Sequence, residues 1–156
     1  MTPTPELKVA QNLTSAEYLA QRVKEAYLSI GSENVADLES LYTSDIHFED
    51  PSHAVQGKRS LMRYLHKQFS NVSKCSFKFH SSIASETDIF LAWTMFFNHP
   101  QLRGGDTIRV EGSSYLRTRN GKIYYHRDYF DMGAMLYEHL PLLGRIIQRL
   151  KQRLGQ

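Results

Sequence analysis

The chain has 156 residues, a single cysteine, and 19 Lys plus Arg against 16 Asp plus Glu, for a net charge of +3. That length predicts one domain, the lone Cys75 excludes a disulfide scaffold or a cysteine zinc cluster, and the small charge argues against nucleic acid as a partner. With 41% hydrophobic and 22% charged residues, the composition is that of an ordinary globular domain.

Met1 to Leu13 has neither the basic nor the apolar region of a secretory signal, and no apolar run approaches the roughly 20 residues needed to cross a bilayer. A cytoplasmic, reducing location is expected. Residues 1–14, which include Pro3 and Pro5, are expected to be a flexible N-terminus.

Between Ser15 and Ile30, Leu19, Val23, Ala26, Tyr27 and Ile30 recur at three and four residues, which predicts a helix stopped by Gly31. Val35, Leu38, Leu41 and Tyr42 share one face of a short second helix. Alternation then begins, with Ile46, Phe48 and Asp50 on one side and His47 and Glu49 on the other, so a strand is expected up to Pro51. After Gly57 a third helix turns Leu61, Leu65, Phe69 and Val72 inward and Lys58, Arg59, Arg63 and Lys67 outward.

Four strands are expected near Lys74 to Ala84, Ile89 to Asn98, Thr107 to Arg117 and Lys122 to Asp131. They are divided by Glu86-Thr87-Asp88, by Arg103-Gly104-Gly105-Asp106, and by Asn120-Gly121, the strongest hairpin signal in the chain. Helices first and strands last predict an α+β fold, with helices on one face of a curved, mostly antiparallel sheet. A last helical region spans Ala134 to Leu154, interrupted near Pro141 and Gly144.

Leu41-Tyr42, Ile46-His47-Phe48-Glu49-Asp50-Pro51, Gly57 opening a helix, and the closing runs Gly121-Lys122-Ile123 and His126-Arg127-Asp128-Tyr129-Phe130-Asp131 together resemble the nuclear transport factor 2-like superfamily, in its SnoaL-like branch. The resemblance covers about 15–137, leaving 138–156 as a separate basic amphipathic helix. It implies a cone whose helices close over a bent sheet around an apolar pocket. Ketosteroid isomerases, limonene epoxide hydrolases and polyketide cyclases share that fold, which alone does not choose among them.

Likeness to ketosteroid isomerase places Asp50 as a proton-shuttling base and Tyr27 as the donor to a developing oxyanion. Likeness to limonene epoxide hydrolase makes Asp128 one aspartate of an acid/base set. Other readings stay open: Asp50 as a turn cap, Asp128 in a structural ion pair, Tyr27 as core, and Trp93, Met95 and Phe97 as cavity wall or as plain packing. Phe48 lies in phase with Asp50; His53 and His126 are the histidines expected to reach a ligand. No histidine pair has helical metal-site spacing, so neither a metal nor an organic cofactor is expected.

The expected ligand is a small, largely apolar molecule with one or two oxygen functions. It would be isomerised, cyclised, dehydrated or opened as an epoxide, with a non-catalytic binding protein or an adaptor module as alternatives. Phe77, Phe79, Tyr115, Tyr125 and Tyr129 exceed the needs of one core and predict a homodimer through the sheet. Leu143, Ile146, Ile147, Leu150 and Leu154 form a stripe beside Arg145, Arg149, Lys151 and Arg153. This helix is read as packing on protein rather than on a membrane surface, because the stripe is short and has no aromatic anchor.

Overall fold

A computed structural model describes residues 13–30 and 35–155. Most of the expected flexible N-terminus (1–12), and the helix stop at Gly31, lie outside them. Helix α1 (Ser15–Leu28) opens on a reciprocal cap: the Thr14 hydroxyl accepts from the Glu17 N–H at 3.2 Å, and the Glu17 carboxylate accepts from the Thr14 N–H at 2.8 Å. Ala16, Leu19, Ala20, Val23 and Ala26 form its buried face.

A short helix α2 (Val35–Leu41) leads directly into β1 (Tyr42–Glu49). Tyr42, expected on the helix, is instead the first strand residue and is fully buried. Its β-favouring ring fits a pleated core position better than a helix end. A three-residue strand β2 (Ala54–Gln56), which the sequence did not predict, pairs antiparallel with the end of β1. Helix α3 (Lys58–Ser70) starts after Gly57, whose φ of 85° needs a residue without Cβ, and buries Leu61 and Leu65. Val72 lies beyond its end.

Strands β3 (Lys74–Ala84), β4 (Asp88–Asn98), β5 (Thr107–Arg119) and β6 (Lys122–Phe130) form an antiparallel meander. At the β5–β6 turn Asn120 and Gly121 have φ of 52° and 71°, the positive pair that a tight two-residue hairpin requires. The order β2-β1-β6-β5-β4-β3 gives a six-stranded, curved and unclosed sheet, with β1 parallel to β6. Helices α1 and α3 cover its concave face, where the core gathers Leu38, Ile46, Ile89, Leu116 and Ile123. This is the α+β architecture that the sequence predicts.

Two irregularities decide which side chains face inward. At Tyr124 the β5–β6 register slips by one residue, since Arg117 pairs with Tyr125 but Thr118 pairs with Ile123. Tyr124 therefore leaves the phase of His126 and Asp128 and lies under Arg117 and Arg119, 5.6 and 5.1 Å from its ring centroid. Phe77 and Phe79, counted among the outer aromatics, pack against the core instead, while Tyr115, Tyr125 and Tyr129 belong to the outer face.

After β6 the chain forms a short helix α4 (Met132–Met135), a turn of 3-10 helix at Tyr137–His139, and helix α5 (Pro141–Leu154). The expected interruption at Pro141 is the start of α5, where proline is tolerated. Gly144 does not interrupt α5; it lies inside the helix against the Glu138 backbone, where a Cβ would collide with the Glu138 carbonyl.

Candidate active site

A cavity of about 120 Å³ opens between the concave sheet face, α1 and α3. Phe48, Phe77, Trp93, Met95 and Phe130 supply apolar wall from the sheet, and Val23, Leu65 and Phe69 from the helices. Polar groups reach it from few places: Tyr27 on α1, Tyr64 and Gln68 on α3, Asp50 and Ser52 in the turn after β1, Ser114 on β5 and Asp128 on β6. This is the usual composition of a small-molecule pocket, mostly apolar with a few convergent polar groups.

Behind Asp128 runs a continuous chain of hydrogen bonds. Ser114 and Asp128 are directly opposed across β5 and β6, and the Ser114 hydroxyl donates to Asp128 Oδ1 at 2.5 Å. The Trp93 indole N–H donates to Ser114 Oγ at 2.9 Å. Indole can only donate, so Ser114 accepts from Trp93 and spends its own hydrogen on Asp128. From the other side His126 Nε2 lies 2.8 Å from the same Oδ1, and Tyr42 Oη lies 2.9 Å from His126 Nδ1.

In the tautomer with its hydrogen on Nε2, His126 donates to Asp128 and accepts from the Tyr42 hydroxyl at Nδ1. Tyr27 Oη stands 3.4 Å behind Tyr42, a long contact. Burial raises both phenols above their ordinary pKa, Tyr27 further through the neighbouring Tyr42, so each keeps its hydrogen. In that tautomer the bonds made by Trp93, Ser114, Tyr42 and His126 all run toward Asp128 Oδ1. Both bonds to this carboxyl fall on that oxygen, so among the described residues Oδ2 has no protein partner, and the side chain keeps 17% of its surface open.

Asp50 is held quite differently. Its Oδ1 accepts from the Ser52 N–H at 2.7 Å, the Ser52 hydroxyl at 2.7 Å and the His53 N–H at 2.8 Å, while Oδ2 accepts from the Tyr64 hydroxyl. Three of these donors, all from the turn itself, crowd Oδ1, and Tyr64 holds Oδ2. The Tyr64 phenol is pushed up to about 12, first by burial and then by this bond, so it too stays protonated.

The structure thus brings Asp50, Asp128, Tyr27, Phe48, Trp93 and Met95 to one cavity. It separates the others. His126, expected at the ligand, is 1% exposed and lies behind Asp128, because a ring on the inner face of a central strand is covered by Tyr42 and Phe48. Phe97 and His53 border an adjoining cavity of about 550 Å³, reached past Phe69, Met95 and Met135, which line both. The His53 ring is tied to Ser52 at 2.8 Å.

Sequence reasoning did not select Tyr42, Ser114, Tyr64 or Gln68. Ser114 was the findable one, since it shares the inward phase of Leu116 and follows Gly112, and a glycine inside a strand signals close approach. That approach is real: a Cβ on Gly112 would run into the Trp93 ring. Among the described residues no group of three His, Cys, Asp or Glu could hold a metal ion, and no helix is long and apolar enough to cross a membrane.

A family model of the SnoaL-like domain matches residues 23–126, more than half of the chain. The chain belongs to the SnoaL-like domain family. Solved structures share the fold. An LEH-like epoxide hydrolase from M. tuberculosis aligns with a TM-score of 0.65 at 19% identity, over 80% of this chain and 86% of that one. A protein described as a SnoaL-like polyketide cyclase from Jannaschia sp. CCS1 gives 0.69 at 10%, over 87% and 94%. A protein of ketosteroid isomerase-like fold from Catenulispora acidiphila DSM 44928, solved with trimethylamine, gives 0.68 at 13%, over 78% and 91%. No curated protein matches the sequence. Family and fold together identify a protein built around a small-molecule pocket.

Proposed function

We propose that this SnoaL-like protein is an acid/base enzyme for a small, largely apolar molecule bearing one or two oxygen functions, with Asp128 as its proton carrier. The observation that carries this reading is the hydrogen-bond chain through Trp93, Ser114, Tyr42 and His126, which ends on one oxygen of Asp128 and leaves the other without a partner among the described residues, on a side chain that lines an apolar cavity. A carboxylate oriented by its neighbours and free on one oxygen is positioned to exchange a proton with a bound ligand.

In the forward step Asp128 Oδ2 takes a proton from a substrate C–H or O–H, the electron pair stays on the substrate, and the acid becomes neutral. The same proton then returns to a different substrate atom in isomerisation or cyclisation, or to a departing oxygen in dehydration. In epoxide opening a protonated Asp128 instead donates its proton to the epoxide oxygen as one C–O bond breaks and a water molecule bonds to that carbon, and the carboxylate then takes up the proton the water sheds. His126 and Ser114 hold the carboxyl in place, and the Tyr27 phenol donates to the oxygen that gains charge. Phe48, Trp93 and Met95 exclude water around the reacting atoms; His53 and Phe97 line the approach. These steps need neither a metal nor an organic cofactor.

To Asp50 we assign positioning rather than proton transfer: held on both oxygens, by its own turn and by Tyr64, it fixes Tyr64 at the cavity edge. The epoxide hydrolase and polyketide cyclase neighbours support the reaction class by analogy of fold. In a panel of epoxides and polyketide-like enones, Asp128→Asn should keep the fold and lower turnover at least about 100-fold. If wild type and Asp128→Asn bind a compound equally and neither converts any member of the panel, the non-catalytic binding reading replaces this one.

We also propose a homodimer through the outer sheet face, where Ile83, Phe90 and Tyr129 are 67%, 40% and 47% exposed. Sedimentation at micromolar concentration should give about twice 18.1 kDa; a species at 18.1 kDa alone would refute the dimer. The half-buried Cys75, its thiol pushed up to about 11 by burial, suits a reducing cytoplasm.

A further inference from the structure

Helix α5 takes no part in the site above. Among the described residues it is anchored along its glycine edge: Gly144, its single buried residue, sits on the Glu138 backbone, and Lys151 is held by Glu138 and, at 3.5 Å, by Asp131. At 100° per residue, Leu142, Leu143, Ile146, Ile147, Leu150 and Leu154 fall within one arc of the helix. The sequence reading favours packing on protein, either its own barrel or a dimer mate; on its own barrel the stripe does not pack, for Leu142, Ile146, Leu150 and Leu154 are 77%, 55%, 53% and 86% exposed. The edge that docks is the glycine edge, because only there can backbone meet backbone.

Along one border of the apolar arc Arg145, Arg149 and Arg153 follow at intervals of four. None of the three has an ion-pair partner among the described residues, and α5 contains no acid.

We propose that α5 is an interfacial helix, which lays its apolar stripe into the headgroup layer of an anionic membrane while the arginine row meets lipid phosphate. The exposed stripe calls for an apolar partner, and the unpaired row calls for a negatively charged one. An anionic bilayer surface offers both in one plane. A second α5 offers only the first: with no acid in either copy, pairing the stripes sets basic residues beside basic residues at the rim. At 14 residues the helix is too short to span, which needs about 20, so it lies in the surface.

Its position gives the contact a use. Met135, Leu136 and Leu140, in the segment leading to α5, line the adjoining cavity, and Met135 also lines the cavity of Asp128. A helix seated on lipid would set this apolar approach close to the layer into which apolar molecules partition.

The test is flotation of the full chain with vesicles. The protein should rise with mixed phosphatidylglycerol and phosphatidylcholine vesicles, release as salt is raised, and bind pure phosphatidylcholine at least about tenfold more weakly. Replacing Arg145, Arg149 and Arg153 together by Gln should weaken binding to the mixed vesicles on the order of 100-fold. Ile146→Glu with Leu150→Glu should abolish it, with far-UV dichroism and denaturation midpoint unchanged because both side chains are exposed. Failure of the wild-type chain to float, or undiminished binding by the triple Gln variant, overturns the proposal. So does a dimer that Ile146→Glu/Leu150→Glu dissociates in a wild-type chain that does not float, which would make this face a contact between copies. None of these readouts depends on the reaction at Asp128.

Discussion

Two carboxylates face the same cavity, one from the end of a strand and one from the turn that follows another strand. Asp128, on β6, is approached by side-chain donors from its own sheet: Ser114 across the ladder and His126 two residues back. These neighbours load one oxygen and leave the other without a partner among the described residues. Asp50 must also hold its turn together, so the N–H groups of Ser52 and His53 claim it before any ligand can, and Tyr64 takes what remains. A strand satisfies its own backbone through the ladder, which frees a side chain for chemistry; a turn borrows the side chain for its backbone.

Alanine substitutions should widen that contrast. Asp128→Ala leaves Ser114 and the buried His126 N–H without their acceptor, and each stranded donor costs about 1–3 kcal/mol, so a loss of roughly 2–6 kcal/mol is expected from chemical denaturation. Asp50→Ala should cost only about 1 kcal/mol, since the donors it releases lie near solvent and can turn to water. An equal or greater loss at Asp50 would mean that the turn, not the chain behind Asp128, is the stiffer support of the cavity.

Much of this architecture can be read from the residues alone. The strands from Lys74 onward, the Asn120-Gly121 hairpin and the helix after Gly57 follow from period, turn chemistry and a residue free to take positive φ. What escapes is set by single-residue events. The slip at Tyr124 turns one tyrosine outward and could not be located, because Tyr124 and Tyr125 are chemically alike and either could have been the extra residue. Phe77 and Phe79 sit inward only because α1 lies over β3, a tertiary fact that strand alternation does not contain. The role of Ser114 is equally non-local, since it needs Trp93 from β4 and Asp128 from β6 at one hydroxyl. Local pattern thus names the faces, and long-range pairing decides which polar groups meet on them.

The smallest expected effect tests the Tyr64 link at the cavity edge. Burial and the bond to Asp50 push the Tyr64 phenol up to about 12 in the folded protein, against an ordinary 10.0. Between those values the unfolded chain releases a proton that the fold retains, so the fold binds more protons and its stability falls as pH rises. The contribution is whole below pH 10 and is lost as pH climbs through about 12. Tyr64→Phe removes it, at the cost of the bond to Asp50, so this variant should be slightly less stable than wild type at pH 8 and should close the gap as pH passes 10. The measurement is the denaturation midpoint of both proteins across that range. Parallel decline of the two curves would show that Tyr64 ionises as an ordinary phenol, and that Asp50 is held by its own turn alone.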